Sequence, residues 1–437
     1  MTAANQFIHT QDLYELLLTH FIPPITTYVE PHTLAQLART CKATSDLALD
    51  TLWRTLIIPS YILRLLPVDA WELVDTEYIL VRPLVESDFE VFDKYAPRIR
   101  VVDFSSPSRS MGCDLFSSLK AFRDPIFPGL LEFRWQPSVN TIGAFQLISR
   151  GLPANTFSLS FWEGNLTSSP RPRENVHPAN PREVAALLNQ PLSAWFPDVQ
   201  SLNLAIGTKY RAISDVLEGL QSLTRLEDLT VNFSVGPNIL AHLAQLPHLL
   251  SLHLFEEDER CISAAKQILD ERSLQTGGSS LRALEKLSIH TCEYDALCAL
   301  LALVTSPALH TVNFDLNGFH PTDATLFRLI TGPDPTNSFA RRASLRHIEF
   351  RVINSVGADR GGLPLLSDLF DPLFTCPNLT TLVVNTGVFL NDADVERMAS
   401  SWPRLQRLSI YNRAREPAVH IATLPILASR CPPSSGN

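Results

Sequence analysis

Few residues of this chain combine types and spacings that could do chemistry. His290, Cys292 and Glu293 form a His-x-Cys-Glu run, and imidazole and thiolate are ligands that a zinc ion prefers. His290 and Cys292 would face the same side only if one strand extended through both of them. A cysteine that closes a structural repeat is therefore the favoured interpretation, and half of a metal site is the alternative.

The motifs of common enzyme and cofactor sites are missing from the sequence. It contains no G-x-x-x-x-G-K-[ST] phosphate loop, no G-x-G-x-x-G dinucleotide turn, no H-E-x-x-H zinc helix and no G-x-S-x-G nucleophile elbow. We therefore predict a protein that is not an enzyme, with no catalytic, cofactor-binding or metal-binding residues.

Composition and charge narrow the class of protein further. The 437 residues carry a formal net charge of −9 and no basic block, which does not favour nucleic-acid binding. The seven cysteines are an odd number without a C-x-x-C pair, so we predict free thiols in a reducing compartment. Because no signal peptide and no apolar run of membrane-spanning length is evident, we expect a cytoplasmic or nuclear location and no membrane partner.

A short phrase recurs along the chain, usually after an X-Pro-x turn: L-x-x-L-x-[aliphatic or Phe]. Seven clear copies begin at Leu226, Leu249, Leu284, Leu309, Leu345, Leu379 and Leu405. Four looser copies precede them, namely Ile99-x-x-Val102-x-Phe104, Leu130-x-x-Phe133-x-Trp135, Thr156-x-x-Leu159-x-Phe161 and Val199-x-x-Leu202-x-Leu204. The copies lie about 31 residues apart on average, which is close to the length of a leucine-rich repeat.

Each copy predicts a strand, and the segments between copies predict helices. There the apolar period lengthens from 2 to about 3.6, as it does at Leu297, Leu300, Leu301 and Val304. We therefore predict an α/β fold with a helical module at residues 1–56, a connector at 57–95 and a leucine-rich-repeat solenoid at 96–430. In the solenoid a curved parallel sheet is backed by helices, and each repeat completes the core of its neighbours.

The phrase also predicts which side chains face outward. Side chains alternate along a strand, so Leu229 and Val231 point into the core while Thr230 points away from it. The outward positions with the character of a protein-binding surface are Asn232, His253, Phe255, His290, Asp315, Arg351 and Tyr411. We predict that they form the substrate surface on the concave face, and a merely solvated face is the alternative.

The N-terminal segment has helical patterns in three short stretches between Leu13 and Leu56. One stretch reads Leu34-x-x-Leu37-Ala38-x-x-Cys41-Lys42, the next reads Ala48-Leu49-Asp50-x-Leu52-Trp53, and Leu65-Leu66-Pro67-x-Asp69-x-Trp71 follows. In this order the phrases resemble an F-box, in particular the F-boxes of mushroom-forming fungi. The usual Leu-Pro opening of an F-box is replaced here by Leu13-Tyr14-Glu15-Leu16.

The resemblance to F-box proteins with leucine-rich repeats implies a function. Such proteins are substrate receptors of Skp–cullin–F-box ubiquitin ligases, in which the F-box binds a Skp-type adaptor, and a cullin through it, while the repeats bind a protein substrate. The residues expected to contact the adaptor are Leu34, Leu37, Ala38, Cys41, Leu52 and Trp53. The alternative for these apolar residues is packing inside the chain's own helical bundle.

A second function remains open at this point. A repeat protein that binds a regulator without any role in ubiquitin transfer would have the same solenoid. Its F-box-like start would then be an N-terminal cap for the repeats.

Overall fold

The fold is seen in a computed structural model, which describes a large part of the chain. The described residues are 31–40, 42–57, 59–74, 77–104, 110–111, 113–136, 145, 153–161, 192–206, 220, 222–232, 243, 246–255, 281–292, 297–298, 300–301, 304–317, 325–331, 342–353, 365–412 and 425. They fall into two compact units, Met1–Val184 with Leu192–Val199 and Ala185–Pro191 with Gln200–Asn437. The domain boundaries predicted from the sequence stay a prediction, and the first predicted helix, from Leu13, lies outside the described residues.

The first unit begins with helices and continues into short strands. Its elements are α1 (Pro31–Thr40), α2 (Lys42–Trp53), β1 (Thr55–Leu56), β2 (Trp71–Val74), β3 (Glu77–Leu80), α3 (Glu90–Tyr95), β4 (Val101–Phe104), β5 (Ser110–Met111), α4 (Cys113–Phe122), β6 (Glu132–Trp135) and β7 (Thr156–Phe161). Strands β1, β4, β6 and β7 are neighbours in that order, and all their pairings are parallel. Strands β2, β3 and β5 form a separate small sheet.

Helices α1 and α2 pack against each other through a narrow apolar stripe. Pro31 opens α1, where the amide that proline lacks would have had no helical partner. Leu34 on α1 and Ala48 on α2 are both buried. A stripe of this size forms only a small core.

The parallel pairing corrects one predicted repeat. Phe133 lies opposite Phe157, and Trp135 lies opposite Leu159. The third copy is therefore Ala154-x-x-Phe157-x-Leu159, two residues earlier than the predicted Thr156-x-x-Leu159-x-Phe161. The slip leaves Leu159 facing inward because side chains repeat every two residues along a strand.

Aromatic rings fill the core of the first unit between these strands. Trp135 stacks on Phe145 with 3.8 Å between ring centroids, and Phe157 stacks on Phe196 at 4.3 Å. All four side chains are almost fully buried. Large rings at inward positions replace the leucines of the later copies, so these early copies look irregular in sequence although their strands pair in register.

The second unit contains the regular repeats. Its elements are β8 (Ser201–Ile206), β9 (Asp228–Asn232), β10 (Ser251–Phe255), β11 (Lys286–Cys292), β12 (Thr311–Asn317), α5 (Thr325–Thr331), β13 (His347–Ile353), β14 (Leu365–Leu366), β15 (Thr381–Phe389), α6 (Asp392–Ser401) and β16 (Arg407–Asn412). The sheet order is β8-β9-β10-β11-β12-β13-β15, and both β14 and β16 pair with β15. All of the pairings described are parallel, so the α/β repeat fold predicted from the sequence is confirmed at this level.

The strand register follows the repeated phrase. The equivalent inward residues Leu202, Leu229, Leu252, Leu287, Val312, Ile348, Leu382 and Leu408 lie opposite one another from strand to strand. Those from Leu229 to Leu382 have no measurable exposure. The seven clear copies therefore have the predicted register, and from Leu229 to Leu382 they build one continuous row of buried aliphatic side chains.

The turn before each strand explains the phrase's spacing. The amide of the first phrase residue donates to the carbonyl three residues earlier, as from Leu226 to Leu223 at 3.2 Å and from Leu405 to Trp402 at 3.1 Å. The next repeat is joined to it because two successive amides donate to one carbonyl just before the previous strand. Leu250 and Ser251, for example, both donate to the carbonyl of Glu227, at 2.8 and 2.9 Å.

Helix α6 shows how the helical segments begin. Asn391 accepts a hydrogen bond from the amide of Asp394 at 3.0 Å, and the Asp394 carboxylate accepts one from the amide of Asn391 at 2.9 Å. This reciprocal pair satisfies amides that have no partner inside the helix. Among the residues that the structure describes, no helix has the length and apolar character needed to cross a membrane.

Candidate functional site

The candidate site lies on the side of the second unit's sheet that faces away from the aliphatic core. Three outward side chains from successive strands contact one another there. The rings of Phe255 on β10 and His290 on β11 stack with centroids 4.4 Å apart and planes 9° apart. The Nδ1 atom of His290 is hydrogen-bonded to the carboxylate of Asp315 on β12.

Asp315 is more deeply buried than Phe255 or His290. Its side chain retains 12% of its accessible surface, and that of His290 retains 28%. A carboxylate removed from water to this extent needs a hydrogen-bonding partner, and the His290 ring supplies one. The Asp315–His290 contact therefore fixes the ring orientation that Phe255 stacks against.

Arg351 continues this row on β13. It lies opposite Asp315 in the strand register. Its guanidinium binds the carboxylate of Glu349, two residues earlier on the same strand, with Nε and Oε1 2.7 Å apart. We call Phe255, His290, Asp315 and Arg351 the outer row, because they occupy equivalent positions on four neighbouring strands.

His253 lies two residues before Phe255 on the same strand. Its Nε2 atom is 3.1 Å from the hydroxyl of Ser251. Partial burial, and then the nearby His290, hold the pKa of His253 below its ordinary value. His253 is therefore favoured in its neutral form, as a polar, uncharged neighbour of the outer row.

Asn232 and Tyr411 lie at the equivalent outward position on β9 and β16. Asn232 is exposed, while the side chain of Tyr411 falls outside the described residues. The structure thus brings Phe255, His290 and Asp315 into contact and places His253 and Arg351 beside them. Asn232 lies at the end of β9, the strand that pairs with β10. For Tyr411 the structure describes only the backbone position on β16. Their binding role stays a prediction.

Sequence reasoning identified these residues but did not identify how they pair. His290 and Asp315 are 25 positions apart, and the hydrogen bond between Asn313 and Ser288 (3.3 Å) spans the same separation. The strand register brings both pairs together. The repeat spacing was the signal that could have predicted them, since the same step separates Leu287 from Val312.

The proximity of Ser251 and His253 does not amount to a catalytic pair. A serine nucleophile must reach its substrate, whereas Ser251 is only 4% exposed. Its hydroxyl instead satisfies the imidazole of His253 within the sheet. Among the described residues no group of three or more His, Cys, Asp or Glu side chains could hold a metal ion. Cys292 ends β11, with its side chain outside the described set.

The residues predicted to bind the adaptor lie on α1, on α2 and between these helices. Leu34 is buried, Leu37, Ala38, Leu52 and Trp53 are half-buried, and Cys41 lies outside the described residues. The ring of Trp53 packs on Tyr95 with centroids 5.0 Å apart. Leu37, Ala38, Leu52 and Trp53 thus keep partly accessible apolar surface, and Trp53 also has an aromatic partner within its own unit.

Comparison with known proteins adds little to these observations. No protein-family model matches the chain, and no curated protein matches it. A solved structure described as "Crystal structure of Rad7 and Elc1 complex in yeast" is similar at 17% sequence identity and a TM-score of 0.45, over 96% of this chain and 91% of that chain. A TM-score of this size does not establish a common fold, and the support for the repeat architecture is the strand register.

Proposed function

We propose that the chain is the non-catalytic substrate receptor of a Skp–cullin–F-box ubiquitin ligase. In this role the N-terminal helices bind a Skp-type adaptor, and through it a cullin, while the outer row binds a protein substrate. The receptor contributes proximity, because it raises the effective concentration of substrate lysines near the conjugating enzyme. The role implies a cytoplasmic or nuclear location.

The main support for binding of a protein substrate is the outer row. Neighbouring parallel strands present an aromatic ring, an imidazole, a carboxylate and a guanidinium side by side. A mixed surface with an aromatic anchor is typical of protein interfaces. It does not resemble the enclosed apolar pocket that binds a small molecule.

The adaptor part is supported by the sequence resemblance and by the exposure of α1. Leu37 and Ala38 lie on consecutive positions of α1 and are half-buried in the free chain. Apolar surface of this kind on a small helical pair is suited to burial against a partner.

One observation favours the second function, a repeat protein that binds its partner without any role in ubiquitin transfer. Trp53 packs on Tyr95 of α3, and β1 follows α2 directly and pairs with β4. The F-box-like helices are therefore continuous with the repeat sheet of the first unit, as an N-terminal cap would be.

Co-purification with the adaptor distinguishes the two functions. We expect Leu37→Asp with Trp53→Ala to abolish recovery of the Skp-type adaptor and cullin, because a buried charge and a lost ring remove the apolar contact. Gln36→Asp is the matched control, since it adds the same charge at an exposed neighbouring position.

Leu37→Asp alone is the second variant, because removing Trp53 also removes its contact with Tyr95. Adaptor recovery by either folded Leu37 variant would refute docking through α1. Failure of the unmodified chain to recover any adaptor would support the cap function instead.

A further inference from the structure

A charged cleft in the first unit has no role in the proposed receptor function. It has a volume of about 580 Å³ and lies where α2 meets the segment leading into β4. Its lining carries the basic side chains Arg54, Lys94, Arg98 and Arg100 and the acidic side chains Asp46 and Asp50. We call these six side chains the cationic cleft.

Both carboxylates of the cleft are paired with a single arginine, so four basic and two acidic side chains leave the cleft a formal charge of 4 − 2 = +2. Arg98 binds Asp46 with Nη2 and Oδ1 2.8 Å apart, and it also binds the carboxylate of Asp50. A third hydrogen bond from Arg98 reaches the backbone carbonyl of Asp46 at 3.1 Å. Arg54, Lys94 and Arg100 are left as three exposed cations without an ion pair among the residues that the structure describes.

Two of these cations lie side by side in the strand register. Thr55 pairs with Val101, and the amides of Arg100 and Val101 both donate to the carbonyl of Arg54 at 2.9 Å. Arg54 and Arg100 therefore occupy neighbouring positions at the start of two adjacent parallel strands. Like charges at such positions repel each other, and an anion placed between them would remove the repulsion.

The Arg100 side chain, which lines the cleft, has a hydrogen-bonding partner in the backbone. Its Nη1 atom donates to the carbonyl of Gly129 at 2.9 Å. A Cβ atom at Gly129 would collide with the carbonyl oxygen of Pro97 and would lie 2.8 Å from that same Nη1 atom. The absence of a side chain at Gly129 thus permits the position of Arg100. Because the guanidinium is fixed, it loses little freedom when it binds a ligand.

We propose that the cationic cleft binds a small anion that carries two or more phosphate groups. Guanidinium groups match phosphate oxygens with paired hydrogen bonds, and the cleft's formal charge of +2 exceeds what a single monoanion requires. The volume is in the range of small-molecule sites, and Leu47 and Pro97 are the main apolar parts of the lining. The cleft shares no residue with the outer row or with the residues proposed to bind the adaptor, although α2 contributes to both the cleft and the adaptor contact.

Titration calorimetry of the full chain with pyrophosphate at low ionic strength tests the proposal. We expect saturable binding with one ion per chain. Arg54→Gln and Arg100→Gln should each weaken it by about tenfold or more, since each removes a charge-assisted hydrogen bond. Arg404→Gln is the matched control, because it removes an exposed arginine of the second unit and should leave the affinity unchanged.

Lys94→Gln provides a variant that does not disturb the backbone neighbours of β1 and β4. Circular dichroism checks that each variant is folded. Lys94→Gln should also weaken binding, and it still tests the cleft if the two arginine variants do not fold. The proposal is overturned by absent saturable binding, by unchanged affinity in a folded cleft variant, or by an equal loss in Arg404→Gln. Binding of a phosphoserine peptide without binding of pyrophosphate would also overturn it, because the ligand would then be a macromolecule.

Discussion

At the scale of single residues, the polar side chains of the sheet's outer face act in small groups. Asp315 is largely enclosed, and His290 provides its hydrogen-bonding partner while stacking on Phe255. Each of these residues comes from a different strand, so none of the contacts is local in sequence. Replacing His290 changes the environment of both Phe255 and Asp315, so the effects of substitutions at His290 and at either neighbour should not be additive.

His253 gives the outer face a predictable response to pH. Burial lowers the pKa of His253 in the folded chain, so the unfolded chain binds the proton more readily. The folded state is therefore expected to lose stability as the pH falls through the unfolded value of about 6.5. The variant His253→Gln should lose less stability than the unmodified chain between about pH 7 and pH 5, measured as urea unfolding midpoints.

The ion pairs of the first unit act in a different pH range. Hydrogen bonds from Arg82 lower the pKa values of Asp69 and Asp88, and a hydrogen bond from Arg123 lowers the pKa of Asp93. These contributions are present above the unfolded carboxyl pKa of about 3.9 and are lost as the pH falls further.

Identical pH profiles for His253→Gln and the unmodified chain would contradict the effect of burial on the pKa of His253.

At the scale of the repeat element, the inward residue of each strand bears the packing. We expect Leu229→Ala and Leu252→Ala each to lower the free energy of unfolding by about 2–5 kcal/mol, because each leaves a cavity among fully buried neighbours. Thr230→Ala is the matched control, since Thr230 follows Leu229 and faces the other side of the sheet. It should cost less than about 1 kcal/mol.

Denaturant unfolding followed by circular dichroism measures both effects. An array of repeats loses stability through the interface of the altered repeat with its neighbours, so the loss should also reduce the cooperativity of unfolding. Equal stability of Leu252→Ala and Thr230→Ala would mean that Leu252 does not lie in the core.

The same elements show which parts of the fold the sequence could predict. The register of the late strands follows from the leucine spacing, because only one alignment buries every Leu229-type residue. The copy at Thr156 was placed two residues late, since Leu159 fits either alignment. Strand β1 was missed because two residues, Thr55 and Leu56, are too short to show a period.

Contacts between elements that are far apart in sequence are harder to predict than the repeats themselves. In the cleft, Arg98 contacts Asp46, 52 residues away in sequence, and Asp50, 48 residues away. No local sequence pattern indicates these contacts. The small sheet of β2, β3 and β5 likewise depends on pairing rather than on periodicity. The sequence supplies the residues of such sites, but tertiary packing decides which of them meet.

At the scale of the whole molecule, the proposed adaptor and substrate contacts lie in different compact units. Leu37 belongs to the first unit, and the outer row belongs to the second. Each repeat contacts mainly its neighbours, so a surface change in one unit should leave the folding of the other intact. A receptor built in this way should lose its two binding functions independently.

Proximity-labelling mass spectrometry with and without proteasome inhibition tests this independence. The variant Phe255→Ala with Arg351→Ala removes an aromatic anchor and a charge from the outer row, and it should lose the proteins that accumulate under inhibition while retaining the adaptor. Leu37→Asp should show the opposite loss, and Asn203→Ala, an exposed outward position on β8, should show neither. If the outer-row variant keeps every inhibitor-dependent protein, the substrate surface lies elsewhere. If both variants lose the adaptor, the two contacts are not separable.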